Sequence, residues 1–278
     1  LLQGDPANPV MLFLHGFPQF SAMWRGLMAD LSDRFFCVAP DQRGYNLSSK
    51  PPQTDAYTAR AIAGDAAGLI RHVSPGRRVH VVGHDWGASI AYALAIAEPD
   101  LLESLIVING VHPGPFQEAL LNDPAQIAAS QYIRALRTEG MEERLSADGC
   151  APLFELFARF SDVAWMDDAA KAAYRTAWSQ PGAVSAMLNW YRASPIRVPR
   201  PGEDLRGLAN PFADREKLRI HPRHLLIWAE GDHALLPSSH AGLEHYCESL
   251  TRAPISRGGH WVVNAAQAEV LDAILRFI

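Results

Sequence analysis

Val79-His80-Val81-Val82-Gly83-His84-Asp85-Trp86-Gly87 is an apolar strand run that ends in a Gly-x-Asp-x-Gly turn, followed by the helix-forming Ala88-Ser89-Ile90-Ala91-Tyr92-Ala93-Leu94. A strand, a glycine-flanked acidic residue and a helix in immediate succession predict the strained strand-to-helix turn that exposes a nucleophile at the end of a sheet. The glycines are needed because a side chain at either position would clash where the turn doubles back. The bare pentapeptide also fits a tight turn carrying a surface aspartate. The remainder of the chain separates the two.

The identity of the nucleophile narrows the chemistry. A carboxylate that attacks an acyl carbon forms a reactive anhydride, whereas attack on a saturated carbon forms an ester that water can later cleave. Asp85 therefore argues against esterase, lipase and peptidase activity. It argues for displacement at an sp3 carbon, as in an epoxide or an alkyl halide.

At 278 residues, 48% of them apolar, the chain is long enough for one large α/β domain or two modest ones. A net charge of -5 with mixed signs provides no basic stripe for nucleic acid or an anionic membrane surface, and suits a small neutral organic substrate. Cys37, Cys150 and Cys247 are scattered, with neither metal-ligand spacing nor the numbers for a disulfide framework. A reducing, cytoplasmic setting is expected. No apolar stretch reaches the roughly 18 residues of a membrane span, and the start lacks signal-peptide character. The opening Leu1-Leu2-Gln3-Gly4-Asp5, without a methionine and close to a strong strand, suggests that a natural N-terminal segment is missing.

Short apolar runs alternate with helical patterns over the first 110 or so residues, the sequence form of a parallel sheet with helices on both faces. Strands are expected at 10–14, 35–39, 79–82, 105–108, 225–228 and 254–256. Residues 112–212 show helical periodicity without a convincing strand, with helices expected at 124–138, 151–160, 167–179 and 182–192. The expected organisation is a core over 1–111 and 213–278, interrupted by a helical cap over 112–212. A last amphipathic helix is expected over 265–278, with Val270, Leu271, Ile274, Leu275 and Ile278 on its apolar face.

Several further motifs accompany the turn at Asp85: His15-Gly16-Phe17-Pro18 after the first strong strand, Asp41-Gln42-Arg43-Gly44-Tyr45 after the second, Asn109 to Pro113, Asn189-Trp190-Tyr191-Arg192, Glu230-Gly231-Asp232, and Gly258-Gly259-His260-Trp261. Together they resemble the α/β-hydrolase superfamily, and within it the soluble epoxide hydrolases and related dehalogenases, over essentially the whole chain. The resemblance implies an α/β-hydrolase fold and a triad in the order nucleophile, acid, histidine. Asp232 would orient His260, which would deprotonate the hydrolytic water. Glu230 competes as the acid, although Gly231 makes Asp232 the better placed on the turn. The backbone amides of Phe17 and Trp86 would form an oxyanion hole, and the Phe17-Pro18 bond is expected to be cis. The Asp41 to Tyr45 turn reads as structural, satisfying its own backbone and pinning neighbouring loops.

The choice among substrates depends on the leaving atom. An opening epoxide makes an alkoxide that needs a proton, and a phenol suits that task; a departing halide needs only donors. Similarity to epoxide hydrolases places two cap tyrosines at Tyr132 and Tyr191, with Trp86 beside them in the substrate site. By itself, a cap tyrosine also reads as a packing residue. Haloalkane dehalogenases resemble this chain but use an Asn in the slot of Phe17 or a second cap Trp, and Trp165, Trp178 or Trp190 would have to serve. Fluoroacetate dehalogenases carry an Arg where this chain has Trp86, and an acid where it has Asn109. A ligand-binding protein on a hydrolase fold is a third reading. No metal or cofactor is implied. Cap geometry decides whether Phe116, Trp165, Trp178 and Trp190 line a pocket or pack as core, and whether the protein is a monomer or a homodimer.

Overall fold

A computed structural model describes residues 1–278. Seven strands form one sheet: β1 (Leu2–Gln3), β2 (Val10–Leu14), β3 (Phe36–Val38), β4 (Val79–His84), β5 (Leu102–Ile108), β6 (Arg223–Ala229) and β7 (Leu250–Ile255). Their order is β1-β3-β2-β4-β5-β6-β7, with β1 antiparallel to β3 and every other pair parallel. A parallel sheet requires helical crossovers that cover both faces, so its strands read as continuous apolar runs. Val10–Leu14 is buried at all five positions.

Side chains alternate between the two faces of each strand, and the apolar core divides accordingly. Leu12, Leu14, Val79, Val81, Leu105 and Val107 belong to one cluster; Met11, Phe13, Val82, Ile106, Ile108 and Ile227 belong to the other. The second face is covered by α1 (Arg25–Leu31) and, from the far end of the chain, by residues that become the last two helices. The first face is covered by α2 (Ala59–Val73) and α3 (Trp86–Ala97), and its cluster runs on without a break into the helices between β5 and β6.

Those helices are α4 (Pro113–Asn122), α5 (Pro124–Ala129), α6 (Gln131–Leu136), α7 (Met141–Phe160), α8 (Asp168–Trp178) and α9 (Ala183–Ala193); α10 (Val262–Ala265) and α11 (Gln267–Phe277) follow β7. No strand intervenes between β5 and β6. Residues Arg197 to Leu218 return the chain to the sheet through turns and extended backbone.

Several expected boundaries are corrected. The edge strand β1 is too short to carry a period. β7 begins at Leu250 rather than 254, because an edge strand in which only Ile255 is buried lacks an apolar pattern. The helix expected over 124–138 is two helices that break at Ser130, whose hydroxyl accepts from the Gln126 side chain at 2.8 Å. The helix expected over 151–160 is present, and a shorter helix that was not expected precedes it from Met141, the two joined across a kink where Asp148, Gly149 and Cys150 take positive φ.

Phe13 is fully buried beneath the sheet against Trp24, ring centroids 5.3 Å apart. Phe13→Ala is expected to lower unfolding free energy by about 3–5 kcal/mol. Urea denaturation checks this; a loss below about 1 kcal/mol would show that the cavity collapses.

Candidate active site

The carboxyl end of the central strand β4 leads directly into Asp85, whose backbone sits at φ 52°, ψ -122° before α3 begins. A non-glycine residue in that region is strained and is held only where its surroundings over-determine it. They do so here by close approach. A β-carbon on Gly87 would overlap the carbonyl of Leu14 at the end of β2, and one on Gly16 would overlap the Asp85 carboxylate itself. The β2 loop and the turn after β4 therefore fit together only with glycine at these positions.

The loop after β2 delivers the Phe17 amide, which donates to Asp85 Oδ1 at 2.7 Å; the Phe17-Pro18 bond is cis. Trp86 is the first residue of α3, so its amide belongs to the orphan donors of a helix N-terminus. The Asp41 to Tyr45 turn braces the β2 loop. The Gln42 amide donates to His15 Nε2 at 3.0 Å and the Gln42 side chain donates to the His15 carbonyl. Asp41 accepts from the Ser21 amide and hydroxyl and from Asn46, while Arg43 pairs with Asp65.

The turn after β6 places Asp232, not Glu230, at the site. Glu230 is exposed, whereas Asp232 Oδ2 accepts from His260 Nδ1 at 2.8 Å. The amides of Ala234 and Leu235 donate to Asp232 Oδ1, and Asn109 Nδ2 donates to Oδ2 at 2.8 Å. On the other side of the ring, His260 Nε2 lies 3.4 Å from Asp85 Oδ2. The Asp232 side chain is fully buried, that of His260 is 3% exposed and that of Asp85 is 12% exposed, so access to the line of three comes from the Asp85 end.

Burial alone would lower the pKa of His260. The charge and hydrogen bond of Asp232, and then those of Asp85, override it and push the imidazole up to about 10. Burial opposes ionisation of Asp232 as well, and the His260 charge with four hydrogen bonds nevertheless holds it below the usual carboxylate range. His15 and His84 are just as buried without a directly bonded carboxylate, and burial takes both down to about 4. The same desolvation gives opposite outcomes because only His260 is bonded directly to carboxylates.

Tyr132 and Tyr191 are both brought to this site. They line a cavity of about 390 Å³ with Asp85 and Trp86, their ring centroids 6.3 Å apart. Tyr191 packs edge-on against Phe17 and Trp86 at 5.1 and 5.0 Å. Burial, with the Asp85 charge behind it, pushes both phenols well above their ordinary range, so they remain protonated donors. Of the cap aromatics, Phe116 lines the cavity and Trp165, Trp178 and Trp190 do not. The indole N–H of Trp178 donates to the Pro18 carbonyl, and that of Trp190 to the Arg43 carbonyl.

Two contributors escaped the sequence reading of roles. Asn109 joins β5 to the acid: its side chain donates to Asp232 and accepts from the Ala229 amide. His84 Nε2 donates to the His260 carbonyl at 2.7 Å. The positive φ of Asn109 was not visible as a signal, and His84 was only one of eleven histidines.

A strand-to-helix turn at a sheet's carboxyl end, an acid after β6 and a histidine after β7 define an α/β hydrolase. The family model described as the alpha/beta hydrolase fold matches residues 9–263, and the chain belongs to that family. It is 31% identical to the AB hydrolase superfamily protein YfhM of Bacillus subtilis (strain 168), over 99% of this chain and 92% of that protein. It is 28% identical to Epoxide hydrolase 1 of Caenorhabditis elegans, over 99% of this chain and 66% of that protein. Similar solved structures include a Bacillus megaterium epoxide hydrolase in complex with an inhibitor, with TM-score 0.88 and 28% identity over 100% of this chain and 95% of that one. Another, described among novel epoxide hydrolases in metagenomes from hot environments, has TM-score 0.88 and 35% identity over 100% and 93%. Within its family the chain is epoxide hydrolase-like.

The raised His260 pKa has a consequence for stability. A group with a folded pKa of about 10 and an unfolded value of 6.5 stabilises fully below 6.5 and loses that contribution as pH rises through 10. Chemical denaturation at pH 6.5 and 9.5 should show the parent losing more stability over that interval than His260→Gln. Equal losses would contradict the assignment.

Proposed function

We propose that the protein hydrolyses an epoxide to a vicinal diol through an ester on Asp85. The observation that carries this reading is the placement of Asp85 between the Phe17 amide and His260 on one side and two phenols across the cavity on the other. One carboxylate oxygen attacks the epoxide carbon as the C–O bond breaks, and Tyr132 and Tyr191 donate to the departing oxygen, one of them supplying the proton. A protonated donor is required here because an alkoxide is a poor leaving group without one.

Ester formation removes the Asp85 charge, one of the two supports that raise the His260 pKa. The imidazole pKa then falls, His260 releases its extra proton through solvent to the phenolate left by epoxide opening, and the neutral ring takes a proton from the water that attacks the ester carbonyl. Asp232 holds the ring in orientation, with its Nδ1 proton facing the carboxylate. The Phe17 amide, with the open Trp86 amide, stabilises the tetrahedral oxyanion. Collapse breaks the bond between the carbonyl carbon and the alkyl oxygen, His260 returns its proton to that oxygen as the diol leaves, and the re-formed Asp85 acid gives its proton to His260, which restores the starting ion pair.

Displacement of a halide by the same Asp85 is the second reading, and the tryptophan positions give it less support. Trp86 is the cavity's only tryptophan, and the indole N–H groups of Trp178 and Trp190 are spent on backbone carbonyls. Phe17 has no side-chain donor. A ligand-binding role without turnover leaves the ion-paired His260 and the two phenols facing Asp85 without a purpose.

His260→Ala should stop the reaction at the ester. Intact-mass measurement after incubation with epoxides is expected to show an adduct on Asp85 that keeps every atom of the substrate. Loss of a halogen from haloalkane probes would favour the second reading, and no adduct across a broad panel of both would overturn the alkyl-enzyme scheme. With Tyr132→Phe and Tyr191→Phe added, the epoxide adduct should form at least about 100-fold more slowly; an unchanged rate removes the tyrosines from the chemistry.

A further inference from the structure

The cavity does not stop at the reacting groups. Trp86, Ser89, Ala93, Ile96 and Ala97 all lie on its wall, and they are the only residues of α3 that are not buried in the core. Their spacing of three, four, three and one keeps them on a single helix face. The face runs from the first residue of α3 to the last, so the groove extends about 16 Å along the helix axis from the residue next to the nucleophile. Ala63 of α2 and Ile196, Phe212 and Leu218 from the segment returning to the sheet supply further apolar wall.

The charge on this wall has one sign. Apart from Asp85 itself, the charged residues lining the cavity are Arg60 and Arg137, and neither forms an ion pair with a carboxylate of the chain. Arg137 is held by the carbonyls of Tyr191, Ser194 and Ile196, which orient the guanidinium without neutralising it. A positively charged group near either guanidinium is therefore disfavoured.

We infer that the groove along α3 receives an extended alkyl substituent of the substrate that carries no positive charge, which makes the preferred substrate a long-chain epoxide rather than a compact one. This rests on the epoxide-opening reading. The occupant follows from continuity: the apolar face opens into the same cavity as Asp85, so a molecule held for attack has its remaining substituent beside Ser89 and Ala93. A small rigid epoxide would leave most of that apolar face in water.

The test is a homologous series of terminal epoxyalkanes, with kcat/KM measured for each member. Burial of a methylene is worth about 0.8 kcal/mol, so kcat/KM should rise up to about fourfold per added carbon until the tail spans the groove. Ala93→Trp places an indole midway along the face and Ala97→Trp places one at its exposed end. Both should end the rise at shorter chains, Ala93→Trp earlier, and the exposed Ala97 site guards against a folding defect. An ammonium group at the far end of the tail should abolish the gain from length. Turnover of all homologues at one kcat/KM, or an identical break point in the parent and both variants, overturns the groove assignment while leaving the reaction intact. Turnover of no epoxide at any length overturns the reaction, and with it this inference.

Discussion

The structure is organised around one backbone turn. Asp85 is held at positive φ between the end of β4 and the start of α3, at a cost of about 1–3 kcal/mol. It can be held there because β4 is central in the sheet, flanked on both sides by parallel partners and buried on both faces. The turn leaves no room for side chains at Gly16 or Gly87, which draws the β2 loop against the carboxylate. From that constraint come the Phe17 hydrogen bond and the start of the α3 face that forms the groove wall.

Electrostatics then divides a set of similarly buried groups into different states. His15, His84 and His260 are all almost entirely removed from water, yet only His260 is held charged, by Asp232 and Asp85. His84 is neutral and serves as a donor to the backbone of the histidine beside it. In the proposed cycle the nucleophile is also one of the groups that set the base. Consuming the Asp85 charge in the ester step releases His260 for the water step, which couples the two half-reactions.

The fold was legible because its signals are local. The apolar runs at Val10–Leu14 and Val79–His84, and the glycine-flanked turn, are each written in fewer than ten residues. The chain order Asp85, Asp232, His260 was legible from motif positions, and the fold brings the three side chains into line. Tyr132 and Tyr191 entered through resemblance, since nothing in helical spacing separates a donor phenol from a packing one. Asn109 and His84 were hidden for another reason. Their partners lie 123 and 176 residues away in the chain, and a hydrogen bond across that span has no sequence period. The break at Ser130 was missed because a side-chain hydrogen bond overrode the helical pattern, and the short helix from Met141 ahead of the kink lay outside the expected helices.

The most direct measurement concerns the origin of the second diol oxygen. In a single turnover in H2(18)O with enzyme in excess, water attacks the ester carbonyl, so the diol should leave unlabelled and the heavy oxygen should be found in the peptide carrying Asp85. A labelled diol with an unlabelled Asp85 peptide would mean that water attacks the epoxide carbon directly. That result would contradict the role assigned to Asp85.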